Sequence, residues 1–174
     1  MPTSYQPPLP NASAKTERTM SQTTATNLSK DNATVRKLIE GKGGETFTVR
    51  PDETIAHAVG VLRDRRIGAL VVTEADGTLC GILSERDIVR KLAETPGQTL
   101  PQTVSENMTR NVETCTPDDT LVTVLVRMAE GKFRHMPVVE SGALRGMVTI
   151  GDVVHFRLRE LEYEALQLKQ MIVG

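Results

Sequence analysis

The chain has 174 residues, 39% of them hydrophobic and 25% charged, with a formal net charge of −1. That is the balance of a soluble globular protein, either one ordinary domain or two small fused ones. A charge so near zero gives no general drive toward nucleic acid or anionic membrane, no apolar run reaches the length of a membrane span, and only 3% aromatic residues leave an aliphatic core.

Residues 1–32 are rich in Pro, Ser, Thr, Asn and Gln and are predicted to be a disordered tail, because they cannot bury enough apolar surface to offset ordering entropy. Met20 inside the tail is a second candidate start. The N-terminus has no charged segment followed by an apolar core, so it does not read as a secretory signal. From Thr34 the pattern changes: Val35, Leu38 and Ile39 mark one face of a short helix, stopped by Gly41, Gly43 and Gly44.

A strand, helix, strand, strand, helix pattern follows. Phe47 and Val49 lie in a short strand. Thr54 is a plausible N-cap for a helix with Ile55, Ala58, Val59 and Leu62 on one face. Ala69 to Thr73 is a near-continuous apolar strand, Asp76-Gly77 a hairpin turn and Leu79 to Leu83 the return strand. Ser84 opens a second helix with Ile88, Val89 and Leu92 facing inward. A short helix over Thr103 to Met108 then leads into a second copy of the pattern: strand Val112 to Thr114, helix Leu121 to Met128, strand His135 to Val139, turn Ser141-Gly142, strand Leu144 to Val148 and a helix from Thr149.

The copies align residue by residue. Pro51 and Thr54 pair with Pro117 and Thr120 at an offset of 66; Gly81, Ser84 and Asp87 pair with Gly146, Thr149 and Asp152 at 65, so the hairpin turn has lost one residue. A unit of this length cannot easily cover its own apolar face, and two copies are expected to pack together. The predicted organisation is a tail over 1–32, a first repeat over 33–98, a second over 99–156 and a C-terminal helix extension over 157–174. In that extension Val154, Leu158, Leu161, Ala165, Leu168 and Ile172 form a heptad seam, which either folds back over the protein's own core or pairs with another copy.

Each copy carries Gly-x-x-Ser/Thr-x-x-Asp at a strand-to-helix junction. The glycine permits close approach to the strand, the hydroxyl sits where free N–H groups and the helix dipole favour an anion, and the carboxylate lies one turn further on. A carboxylate suits the cis-diol of a ribose, and the hydroxyl with open N–H groups suits phosphate oxygens, so the combination implies a nucleotide. The same spacing is also a capping box, which needs no ligand. Basic residues differ between copies: Arg134 and His135 enter the second central strand where the first has Gly68 and Ala69, and Arg86 stands where the second has Gly151. These cations either meet phosphate or are solvated surface charges. Ile67 and Phe133 offer an apolar wall suited to an adenine face.

Cys80 and Cys115 have no zinc spacing and read as reduced packing residues of a cytoplasmic protein; with His57, His135 and His155 also lacking ligand spacing, no metal site is expected.

Through both Gly-x-x-Ser/Thr-x-x-Asp motifs, both Thr/Pro-bearing first strands and Arg134-His-Met-Pro-Val-Val139, the chain resembles a tandem cystathionine-beta-synthase (CBS) domain pair, or Bateman module, over about residues 34–160. The layout is similar to small stand-alone bacterial members. The resemblance implies an α+β fold in which two β-α-β-β-α repeats pack through their sheets with pseudo-twofold symmetry, followed here by a long C-terminal helix. It implies two clefts for adenosyl ligands: AMP, ADP, ATP or NAD, with S-adenosylmethionine ranked last. By the same resemblance Asp87 and Asp152 hold ribose, Ser84 and Thr149 assist at ribose or phosphate, and Arg86, Arg134 and His135 meet phosphates. Thr46, Val112, Ile67, Gly68 and Phe133 frame adenine. It also implies a homodimer acting on a separate protein target. Gly68-Ala69 departs from the basic pair of Arg134-His135, so the clefts are expected to differ.

The expected function is a non-catalytic nucleotide sensor with no catalytic cofactor. An enzyme finds no cysteine–histidine pair, acidic metal cluster or Gly-rich phosphate loop to support it. A nucleic-acid-binding module is opposed by the charge balance and the scarce aromatics. A purely structural dimerisation unit, in which both motifs only cap helices, remains the alternative.

Overall fold

The computed structural model describes residues 33–43 and 45–173; the tail expected over residues 1–32 and the candidate start Met20 lie outside them. In chain order the elements are α1 (Val35–Lys42), β1 (Thr48–Val49), α2 (Ile55–Arg65), β2 (Ala69–Thr73), β3 (Leu79–Ser84), α3 (Glu85–Glu94), α4 (Val104–Asn107), α5 (Leu121–Gly131), β4 (His135–Glu140), β5 (Ala143–Thr149) and α6 (Ile150–Val173). This is the α+β architecture of two repeats with a long final helix, and no described helix is long and apolar enough to cross a membrane.

The duplication is visible in local chemistry. Thr54 accepts the His57 N–H at 3.2 Å to open α2, and Thr120 accepts the Thr123 N–H at 3.2 Å to open α5. Both helices close on a left-handed residue, Arg66 at φ 54° and Lys132 at φ 57°, whose N–H groups return to carbonyls of the last turn. The second hairpin turns through Ser141 and Gly142 at φ 52° and 80°, the two positive values that a type I′ turn demands. In the first, Gly77 alone is positive, at 85°.

The sheets are not equal. In the first, β1 runs parallel to β2, pairing Thr48 with Val71 and Val49 with Val72, and β2 is antiparallel to β3. The strand expected over Val112 to Thr114 does not form; the second sheet is the β4–β5 hairpin plus a single parallel bridge between Cys115 and Val138. The cause is one residue. The Val71 N–H donates to the Phe47 carbonyl at 3.2 Å, and the residue matching Val71 is Pro137, which has no N–H to give. Only the rungs that spare it survive, from Cys115 N–H to Pro137 O at 3.0 Å and from Val139 N–H to Cys115 O at 2.8 Å.

Strand β2 is buried at all five positions. Leu70 and Val72 face their own helices, in a core with Val49, Ile55, Ala58, Leu62, Leu83, Ile88 and Val104. Period-2 alternation sends Ala69 and Val71 to the opposite face, toward the other repeat. The second core gathers Cys115, Leu121, Val124, Met128, Met136, Val138, Val148 and Val153. Burial raises the Cys115 thiol pKa to about 12, in keeping with an inert packing residue.

Each core borrows a helix from outside its own repeat. Ala33, Val35 and Leu38 of the α1 segment complete the second core, although they stand at the head of the first repeat in the chain. Val104 of α4 completes the first. The crossing segments also supply carbonyls to open helix starts. The Leu121 N–H donates to Ala33 O at 2.9 Å, and the Ile55 N–H to Gln102 O at 2.9 Å.

Three predicted inward residues point out: Val59 (36% exposed), Val89 (65%) and Leu92 (40%). On α2 and α3 the buried stripe is narrower than the run of apolar residues. The heptad seam is exposed as well, from Val154 and Leu158 through Leu161 and Leu168 to Ile172, and none of these residues joins either core among the described residues.

Candidate functional site

Two cavities lie where the repeats meet. The wide cleft, of about 970 Å³, is lined by Thr46, Phe47, Ile67 and Gly68 of the first repeat, by Arg134, His135, Thr149 and Asp152 of the second, and by Lys42 of α1. The narrow cleft, of about 300 Å³, is lined by Ser84, Arg86 and Asp87 of the first repeat, by Val112, Phe133, Arg134 and His135 of the second, and again by Gly68. All twelve predicted residues line one cleft or the other, and Gly68, Arg134 and His135 line both. The grouping is crossed: each motif carboxylate faces the apolar wall of the opposite repeat.

Both motifs are capping boxes. The Asp87 carboxylate accepts the Ser84 N–H at 3.1 Å and the Ser84 hydroxyl at 2.5 Å, and Ser84 Oγ accepts the Asp87 N–H at 3.3 Å. Asp152 accepts the Thr149 N–H at 2.9 Å, and Thr149 Oγ1 accepts the Asp152 N–H at 3.0 Å. In each case the recorded bonds fall on one carboxylate oxygen, Oδ2.

The two carboxylates differ in their next partner. Lys42 Nζ reaches Asp152 Oδ2 at 2.7 Å and the Met147 carbonyl at 3.4 Å. Burial opposes ionisation of Asp152, but the bonds from Lys42 and Thr149 outweigh it, so the carboxyl titrates below its ordinary value. The Lys42 contact was not legible in the sequence, because the pair is 110 residues apart and lies outside the repeated motif. Phe47 was also missed; its ring carries the Arg65 guanidinium 4.8 Å from its centroid.

The motif glycines serve different neighbours. A methyl group on Gly81 would fall 2.5 Å from Met108 Sδ and 3.2 Å from the Thr109 carbonyl, so the close approach it permits is to the chain itself. Thr109 exchanges both backbone bonds with Ile82, at 2.9 and 3.0 Å, and this pairing walls off one side of the narrow cleft. On β5 the matching carbonyl, of Met147, accepts Lys42 instead, and the space over Gly146 is open to Ile39 at 3.6 Å and Thr46 at 3.9 Å. Gly81→Ala is therefore expected to cost about 1–3 kcal/mol through overpacking, and Gly146→Ala well under about 1 kcal/mol. Chemical denaturation of both variants measures the contrast, and equal losses would contradict it.

Between the clefts, a methyl on Gly68 would lie 3.3 Å from His135 Cε1, so the glycine makes room for the imidazole. Burial pushes the His135 pKa below its ordinary value, against the opposing pull of Glu85 and Asp152, which leaves the ring neutral at pH 7. Arg86, expected at phosphate, gives one bond to the Lys132 carbonyl at 3.1 Å and ties α3 to the end of α5. No group of three or more metal-ligating side chains occurs among the described residues.

A family model described as CBS domain matches residues 45–94 and 103–159. The chain is 44% identical to a solved CBS-domain containing protein from Agrobacterium tumefaciens, covering 72% of this chain and 99% of that one with a TM-score of 0.70. It is 30% identical over 152 residues to the mitochondrial CBS domain-containing protein CBSX3 of Arabidopsis thaliana, spanning 83% of this chain and 74% of that protein. The long plant relatives it also matches are different in scale, since the chain spans 22% of their length. Two solved neighbours carry adenosyl ligands. CBSX2, in complex with AMP, is 25% identical at TM-score 0.61, over 73% of this chain and 97% of that one. A CBS domain pair in complex with 5′-methylthioadenosine and S-adenosyl-L-methionine is 26% identical at 0.65, over 74% and 98%. With two matched segments, a repeat in sequence and a repeat in structure, the chain belongs to the CBS domain family and carries two CBS domains in tandem.

Proposed function

We propose that the chain is a non-catalytic sensor of adenine nucleotides, with one binding cleft on each side of the contact between its repeats. The observation that carries this reading is the crossed grouping. In the wide cleft Asp152 and Thr149 of one repeat face Thr46 and Ile67 of the other; in the narrow cleft Asp87 and Ser84 face Val112 and Phe133. A ligand with its ribose on the carboxylate and its base on the apolar wall therefore touches both repeats, and its binding energy favours one relative placement of them. Arg134 lines both clefts, and in this reading it meets phosphate in either. The AMP bound to CBSX2 and the methylthioadenosine and S-adenosyl-L-methionine bound to the other pair support an adenosyl ligand.

Thermal-shift measurements with AMP, ATP, NAD and S-adenosylmethionine test it. A ligand at about 100 times its Kd stabilises the folded state by about 2.7 kcal/mol, a shift of several degrees. No shift with any of the four would leave both motifs as helix caps only.

The output passes, in this reading, through a second copy of the chain to a separate protein target. The exposed apolar residues Val89 and Leu92 on α3 and Val154, Leu158 and Leu161 on α6 are the surface offered to that copy. Light scattering of the wild type is expected to give twice the 19.1 kDa chain mass. Leu158→Glu with Leu161→Glu is expected to return the single-chain mass; an unchanged dimer would remove this surface from the proposal.

A further inference from the structure

We propose that Lys42 determines the specificity of the wide cleft, favouring phosphorylated adenosines over uncharged or cationic adenosyl compounds. The inference rests on the nucleotide reading and adds a selecting residue to it. A ribose diol approaching Asp152 meets a carboxylate already held by an ammonium at 2.7 Å. That ammonium stands at the end of α1, before Gly43 at φ 59°, and its side chain is 38% exposed, so it has a long stem and room to swing.

An uncharged ligand that takes the Asp152 oxygens leaves Lys42 to find another partner in a cavity whose other cations are Arg66, Arg134 and Arg145. The carboxylates Glu40 and Glu45 on the same wall offset part of that loss, which makes the effect a preference. A phosphate brings acceptor oxygens into the same cavity and gives the released ammonium a partner as the ribose arrives. A sulfonium adds a like charge instead.

The narrow cleft lacks this device. The helix ahead of the second repeat matches α1 at an offset of 69, since Thr103 and Val104 meet Thr54 and Glu53 as Thr34 and Val35 meet Thr120 and Asp119. At that offset Lys42 falls on Asn111, an uncharged residue lining the narrow cleft, and Asp87 is bonded by the Ser84 hydroxyl and N–H instead of a cation. Lys42→Met removes the ammonium and keeps an unbranched stem of similar length.

The experiment is a methyl-resolved NMR titration of the full chain with AMP and, separately, with 5′-methylthioadenosine. Ile39, Met147 and Ile150 report on the wide cleft, Ile82 and Val112 on the narrow one. In the wild type AMP is expected to fill the wide cleft at a concentration about tenfold or more below that of methylthioadenosine, the scale of one charge-assisted hydrogen bond. In Lys42→Met the ratio falls toward one, because AMP weakens while methylthioadenosine holds or tightens; Lys42→Arg keeps the preference, and the narrow cleft responds alike in all three proteins. Equal weakening of both ligands, or an unchanged ratio, overturns the role of Lys42 and leaves the nucleotide reading standing. If neither ligand moves a methyl of either cleft in the wild type, the nucleotide reading falls and the selection with it.

Discussion

Asp152→Ala is expected to weaken AMP binding in the wide cleft by about 10- to 100-fold, the loss of a charged hydrogen-bond acceptor worth about 1.5–3 kcal/mol. Asp87→Ala is expected to do the same in the narrow cleft and leave the wide one alone. Both substitutions also remove half of a capping box. A lost cap costs about 0.5–2 kcal/mol of stability, so a lower melting temperature is expected whether or not a ligand exists. Asp152→Asn separates the two effects. Its amide oxygen still accepts the Thr149 N–H and keeps the helix start, but the charge that holds a diol is gone. Calorimetry with AMP is expected to show Asp152→Asn close to the wild type in stability and close to Asp152→Ala in affinity. Wild-type affinity in all three variants would assign both carboxylates to capping alone.

Leu38→Ala is expected to cost about 2–5 kcal/mol, as for a buried leucine whose cavity cannot fully collapse. The site of the damage is the more telling result. Leu38 lies at the start of the first repeat in the chain but packs in the core of the second, with Leu121, Met128 and Val148. Hydrogen exchange is expected to accelerate first at Val138, Val139 and Val148, while Leu70 to Val72 keep their protection. Acceleration confined to β2 and β3 would contradict this packing.

Much of the fold was legible in the sequence because the duplication is strict where backbone chemistry is strict. Thr54 and Thr120 cap, Ser84 and Thr149 cap, and Ser141-Gly142 turns, each by rules that act within four residues. Readings that depended on distant neighbours fared differently. The missing strand at Val112 to Thr114 is written in Pro137, but only once the register that opposes them is known. Val89 and Leu92 have the spacing of a buried stripe, and nothing in that spacing says that α3 buries only Ile88. The loan of α1 to the second core could not be read, since Val35 and Leu38 would suit either core.

The site divides in the same way. The motif carboxylates and the Arg134-His135 pair came from comparing the two copies, and all of them line the clefts. Lys42 did not, because its importance lies in a difference between copies outside the motif. Gly81 was read as permitting close approach to its strand, and the groups that approach are Met108 and Thr109, which only the distant pairing reveals.

The exchange of helices between repeats has a consequence for the order in which the protein can form during synthesis. The first repeat becomes complete once Val104 has left the ribosome. The α1 segment emerges earlier still, yet its binding site on Leu121, Met136 and Val153 is made last. At roughly 5–20 residues per second its apolar face waits on the order of several seconds without a partner. A short helix of eight residues is marginal in water, so in that interval α1 has no structure of its own to protect it. The nascent chain is thus most open to wrong pairing at its leading end, and it closes only when the last strand returns to meet the first helix.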